Sequence, residues 1–134
     1  MSGITIVWIV SALQVLIALG LINVWLVRFN KPTKYRGKGA GNMKEEFSAY
    51  GLPVWFMYVI GFLKIVIALV MIVVIFLPYL MYPLGFPALI LLSILMLGAI
   101  SMHIKVKDPL MKALPAVSIL TMSLLIMYLV NSIS

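Results

Sequence analysis

Cysteine is absent from the 134-residue chain. Without thiols there is no structural disulfide, no Cys-ligated zinc, no iron–sulfur cluster and no thiol redox relay. Acidic residues number only three, Glu45, Glu46 and Asp108, and charged residues of both signs make up 10% of the sequence. Soluble domains carry about 25% charged and about 45–50% apolar residues. Here 65% are hydrophobic and the mean hydropathy is +1.23. So little polar surface does not cover a globule in water. A soluble enzyme, a disordered tail and a secreted disulfide scaffold are excluded, and a small integral membrane protein is left.

What is present is long apolar runs. A hydrocarbon core of about 30 Å is crossed by about 20 apolar helical residues. The first run, 4–27, is interrupted by Thr5, Ser11, Gln14 and Asn23, and the second, 54–77, holds one charge, Lys64. The third covers about 84–104 and the fourth about 113–130. All are continuously apolar rather than alternating, which argues against strands. The expected fold is all-α, an integral membrane four-helix bundle in a single domain, 1–134. No Lys or Arg precedes the first run, and its length exceeds a signal-peptide core, so it is expected to remain as a span. Met1-Ser2-Gly3 lacks the glycine at position two that myristoylation needs.

Charge sets the orientation. Arg28, Lys31, Lys34, Arg36, Lys38 and Lys44 fall in the first loop, and Lys105, Lys107 and Lys112 in the third connection. The second loop and both tails have no basic residue. The positive-inside rule therefore places the first and third loops in the cytoplasm and both termini outside. Trp25, Tyr50 and Trp55 then mark the inner boundary, and Trp8, Tyr79, Tyr82 and Tyr128 the outer one. The net charge of +7 is a topology signal, and nucleic acid is not an expected partner. The expected location is the cytoplasmic (inner) membrane of a bacterium.

The first loop carries its own pattern. Gly37, Gly39 and Gly41 make a flexible link, and Asn42 with Glu45 three residues later reads as an N-cap and its capping-box partner. Met43, Phe47 and Tyr50 give one apolar face, and Gly51 and Pro53 a stop. This spacing predicts a short amphipathic helix over 43–50, lying on the inner membrane surface. Pro78, Pro83 and Pro87 predict an uncharged outer turn that ends the second helix and opens the third.

Lys64 is the least expected residue. A rise of about 1.5 Å per residue from Pro53 puts it about 16 Å deep, near the midplane. A charge there costs at least about 2.5–3.5 kcal/mol, so it should face protein or water. Gln14, Ser93, Thr121 and Ser123 lie at similar depth and make a candidate polar core around it. The functional reading is a ligand or proton site in the bundle; the structural one is a polar tie or a lysine snorkelling to an interface. Lys31, Lys34, Arg36 and Lys38 are candidates to contact acidic lipid or an acidic partner. His103, the single histidine, stands at the end of the third helix, where the helix dipole favours it. One histidine serves neither a bis-histidine haem nor a catalytic zinc. The ten methionines are scattered and read as flexible apolar filling. No phosphate loop, nucleophile elbow or HExxH motif occurs. Neither a catalytic residue nor a metal site is expected.

Two stretches carry a family resemblance. Glu46-Phe47-Ser-Ala-Tyr50-Gly51-Leu52-Pro53 with Gly61-Phe-Leu-Lys64 resembles the DoxX-like family, as does Met102-His103-Ile104-Lys105-Val106-Lys107-Asp108-Pro109 followed by Ala113-Leu114-Pro115-Ala116. The charge pattern and order of spans match too. The resemblance implies a four-helix bundle, and a membrane subunit accompanying a redox enzyme such as a quinone reductase, or an assembly chaperone. It also raises the weight on Lys64, a position often lysine or glutamate in the family, and it supplies no catalytic set. The expected function is a non-enzymatic accessory subunit of a larger membrane complex, its partners being the bilayer and other membrane subunits or further copies of itself. The alternatives are a small carrier of a hydrophobic ligand, quinone or lipid, with Lys64 in the site, and a redox subunit touching quinone directly. No cofactor is expected beyond such a ligand. Small residues such as Gly61, Ala68, Gly98 and Ala99 allow close helix approach in lipid.

Overall fold

The computed structural model describes residues 2–133. Helix α1 (Gly3–Ile22) starts at Ser2, whose hydroxyl accepts from the Thr5 amide at 3.1 Å, and runs on through a π-helical turn at Asn23–Val27. A first loop contains α2 (Met43–Ala49) and leads into α3 (Val54–Phe76). Helices α4 (Phe86–Lys105) and α5 (Leu114–Ile133) complete the bundle. With their lead-in turns, four helices are long and apolar enough to cross a membrane: Gly3–Val27, Val54–Phe76, Pro78–Lys105 and Leu110–Ile133. No strand occurs among the described residues.

The prolines act differently from a plain turn. Pro78–Leu80 is a 3₁₀ turn and Met81–Gly85 a π-helical one, so α4 has a helical lead-in six residues longer than expected. Pro87 sits in the first turn of α4, where its missing N–H leaves no intrahelical bond unmade. The α3–α4 connection is thereby tight, with only Leu77 outside a helical turn. The fourth span also runs three residues past its expected end, to Ile133.

Helix α1 packs most extensively on α3 and α5, and α4 on α5, while α3 meets α4 more sparsely and about equally through the Met81–Gly85 turn. The centre is apolar: Ile17, Met71, Leu89, Leu92 and Ile126 are fully buried. Gln14 supplies a polar tie there, its amide donating to the Met71 carbonyl at 3.2 Å. Phe62, Phe76, Leu97 and Tyr128 stand exposed on the outside. Such a surface is a liability in water and the ordinary one in lipid, where packing of side chains holds the helices together. The chain is a membrane protein.

Candidate functional site

The basic end of the bundle is closed by the first loop and α2. The Asn42 side chain accepts from the Glu45 amide at 2.8 Å, as the capping pattern requires. Glu45 reaches one residue further back than expected, to the Gly41 amide at 2.7 Å. Helix α2 thus forms where the sequence places it. On its apolar face Met43 and Phe47 are buried with Trp25 and Met57.

Around α2 lies a network built on Glu46. The Arg36 Nη1 donates to its Oε2 at 3.0 Å, and the Gly37 amide and the Tyr50 hydroxyl donate to its Oε1 at 3.0 and 2.8 Å. The remaining Arg36 donors reach the carbonyls of Lys31, Arg28 and Phe29. A buried charge is tolerable only when paired and hydrogen-bonded in this way. Gly37 is glycine because a Cβ would sit 2.6 Å from the Tyr50 ring atoms Cε1 and Cζ. Burial, then the adjacent Glu46 charge and hydrogen bond, push the Tyr50 phenol up, so it remains a donor.

Three ties cross from this loop to the α4–α5 connection. The Lys38 amide donates to Asp108 Oδ1 at 3.0 Å, Lys112 to the Arg36 carbonyl at 2.7 Å, and Lys105 to the Tyr50 carbonyl at 2.9 Å. Asp108 also holds His103, Nδ1 to Oδ2, at 2.8 Å. Burial pushes the Asp108 carboxyl up, but the His103 and Lys38 hydrogen bonds outweigh it and hold the group below the usual carboxylate range. The Tyr50 and His103 rings meet edge to face, with centroids 5.9 Å apart.

A cavity of about 840 Å³ lies beside this cap. Trp25, Arg36, Glu46, Tyr50, Lys64 and His103 line its polar end. It extends to Leu16, Ile94 and Met122 at mid-bundle, and the exposed Leu16 and Ile94 bring it to the lateral surface. Lys64 is buried, with its ammonium 5.2 Å from the centre of the Trp25 ring. Trp25 comes that close because residue 61 is glycine; a Cβ there would lie 2.6 Å from Trp25 Cε3. The cation rests on the face of the ring, a favourable electrostatic arrangement for a buried ammonium.

The polar core expected from depth alone is not assembled. Ser93, Ser123 and Thr121 donate to the carbonyls of Leu89, Ile119 and Val117, each four residues back in its own helix, and Thr121 is exposed. Helical hydroxyls have that acceptor always within reach. Gln14 is used on Met71. Among the described residues none of these four hydrogen-bonds to Lys64, which turns instead toward Trp25. Arg36 is a second correction: it is 3% exposed and paired, so it does not present its charge to lipid or partner. Lys31, Lys34 and Lys38 are exposed as expected. The Arg36–Glu46–Tyr50 and His103–Asp108 groupings went unread. Glu46 and Tyr50 are four apart on one helical face, the spacing that could have flagged them.

A family model, that of the DoxX-like family, matches residues 12–126, which takes in both basic connections and nearly all of the spans. Neither a curated protein nor a solved structure matches the chain.

Proposed function

The chain belongs to the DoxX-like family, and from that premise we propose that it is a membrane subunit whose cavity holds a hydrophobic molecule with a polar head, quinone or lipid. The observation that carries this is the placement of Lys64 at the polar end of a largely apolar cavity of about 840 Å³. Small-molecule sites have volumes of about 300–1,000 Å³, apolar walls and a few convergent polar groups. Among the described residues Lys64 has no acid within ion-pair distance, so the ammonium is available to a ligand's head. The exposed lining residues Leu16 and Ile94 lie mid-span, at the level of acyl chains, which favours entry from the bilayer.

The test is native mass spectrometry on protein purified in mild detergent. A hydrophobic molecule should accompany the chain at near one-to-one ratio and be lost in Lys64→Met, while the fold persists by circular dichroism. An empty cavity in protein taken directly from native membranes would sink the reading.

A role as a non-enzymatic accessory subunit is compatible with it. The exposed outer faces, with Phe62, Leu97 and Tyr128, give a partner an apolar surface in the membrane, and Lys31, Lys34 and Lys38 give it a basic one. The same preparation should then contain a stoichiometric membrane protein. The charge distribution supports insertion in the cytoplasmic membrane with the basic end inside. Single cysteines at Lys38 and Lys107 should be shielded from a membrane-impermeant reagent in intact cells, and one at Leu84 should react. Reaction at Lys38 from outside would reverse the orientation.

A further inference from the structure

The charge of the cavity wall narrows the class of ligand. Arg28, Lys34, Arg36, Lys64 and Lys112 line the cavity, and Glu46 is the one acid among the lining residues. Glu46 is also fully engaged, by Arg36, by the Gly37 amide and by Tyr50. The Lys112 ammonium is held on the Arg36 carbonyl with the Asp108 carboxylate near enough to offset part of its charge, while Lys34 stands over the neutral Tyr35 ring at 5.3 Å. Lys64 sits deepest of these cations, against the Trp25 ring. The ring attracts the cation but removes no net charge.

We infer that the cavity takes an amphiphile with an anionic head, a carboxylate or a phosphate, with Lys64 as its first contact and the acyl chain running toward Leu16, Ile94 and Met122. This rests on the reading that the cavity holds a hydrophobic ligand, and it goes further in excluding neutral and cationic heads. An apolar wall with an excess of one sign of charge concentrates its field in the cavity, and a negative head supplies the compensation the wall lacks. A cationic head meets uncompensated like charge. A neutral head leaves the buried ammonium with a weaker, uncharged acceptor. His103, whose Nδ1 is taken by Asp108, lines the same end.

The experiment uses the full chain in detergent micelles with probes that share one tail: oleate, lysophosphatidate with an oleoyl chain, and oleyl alcohol, with decylubiquinone as the quinone arm. Competition for a fluorescent fatty acid gives relative affinities. The expected result is at least tenfold tighter binding of one or both anions over oleyl alcohol on the unmodified protein. That preference should collapse in Lys64→Met and be kept in Lys64→Arg. Preference for oleate assigns a carboxylate, and preference for lysophosphatidate assigns a phosphate; both support the inference. Equal or tighter binding of oleyl alcohol or decylubiquinone overturns the anionic class and leaves the hydrophobic-ligand reading standing. Failure of all four probes to bind overturns both. The comparison of oleate with oleyl alcohol needs no variant, so misfolding of Lys64→Met does not affect it.

Discussion

Around Pro78–Gly85 the chain turns with no charged side chain. That end is closed by the Tyr82 and Phe86 rings, stacked 5.0 Å apart, and by the Tyr82 hydroxyl on Asn131 at 3.3 Å. At the opposite end Arg36, Glu46, Tyr50, His103 and Asp108 are tied together by charge-assisted hydrogen bonds, and the cavity lies beside them. One end is closed by packing and the other by polar bonding. Tight packing leaves no room for a ligand. A loop held by directional bonds bridges a gap that side chains do not fill, and it surrounds that gap with polar groups. The cavity therefore lies with the bonded, basic end and not with the packed proline turn.

The contrast breaks most sharply at Glu46. In Glu46→Ala the buried Arg36 loses its partner and the Tyr50 hydroxyl and Gly37 amide lose their acceptor. A loss of about 3–5 kcal/mol is expected, read by equilibrium unfolding in mixed micelles. Tyr82→Phe at the other end should cost about 1 kcal/mol or less in the same assay. Comparable losses would erase the distinction between the ends.

Filling the contact at Gly61 comes next. Gly61→Leu adds side-chain atoms where even a Cβ meets Trp25, and overpacking of this kind costs about 1–3 kcal/mol. It should also displace Trp25 from Lys64, with a shift in tryptophan emission and weakened ligand binding. Unchanged emission would mean that the ring does not hold the cation.

Acidity separates the two ends without changing packing. Asp108 is held below its ordinary range, so its contribution is present above about pH 4 and lost as pH falls through its folded value. Tyr50 is pushed up, so its contribution is present below about pH 10 and lost as pH rises further. Protease cleavage within residues 30–41 should therefore be slowest between those limits. Asp108→Asn should flatten the acid limb and Tyr50→Phe the alkaline one. A control site in the proline turn should show neither limb. The smallest effects belong to Ser93→Ala, Ser123→Ala and Thr121→Val, each within about 0.5 kcal/mol and silent in ligand binding, since their hydroxyls serve their own helices.

The spans were legible because an apolar run of bilayer length admits few other structures. Helix α2 was legible because Asn42 and Glu45 write a local signal, set within four residues. Arg36 was not. Its partner lies ten residues away across a glycine-rich link, and nothing in the sequence distinguishes it from its exposed neighbours Lys34 and Lys38. Lys64 was legible as a residue that must avoid lipid. Its surroundings were misread because depth along a span fixes height and not azimuth, and because hydroxyls prefer the carbonyl one turn back. The ring it rests on belongs to a π-helical turn, a departure that hydropathy does not encode.

The bond from Gln14 to the Met71 carbonyl has a mechanical consequence. It joins α1 to α3 deep in the bundle, where no water competes, and it fixes the axial register of the pair. Sliding of α1 along α3 would break that bond, so it opposes a change of register.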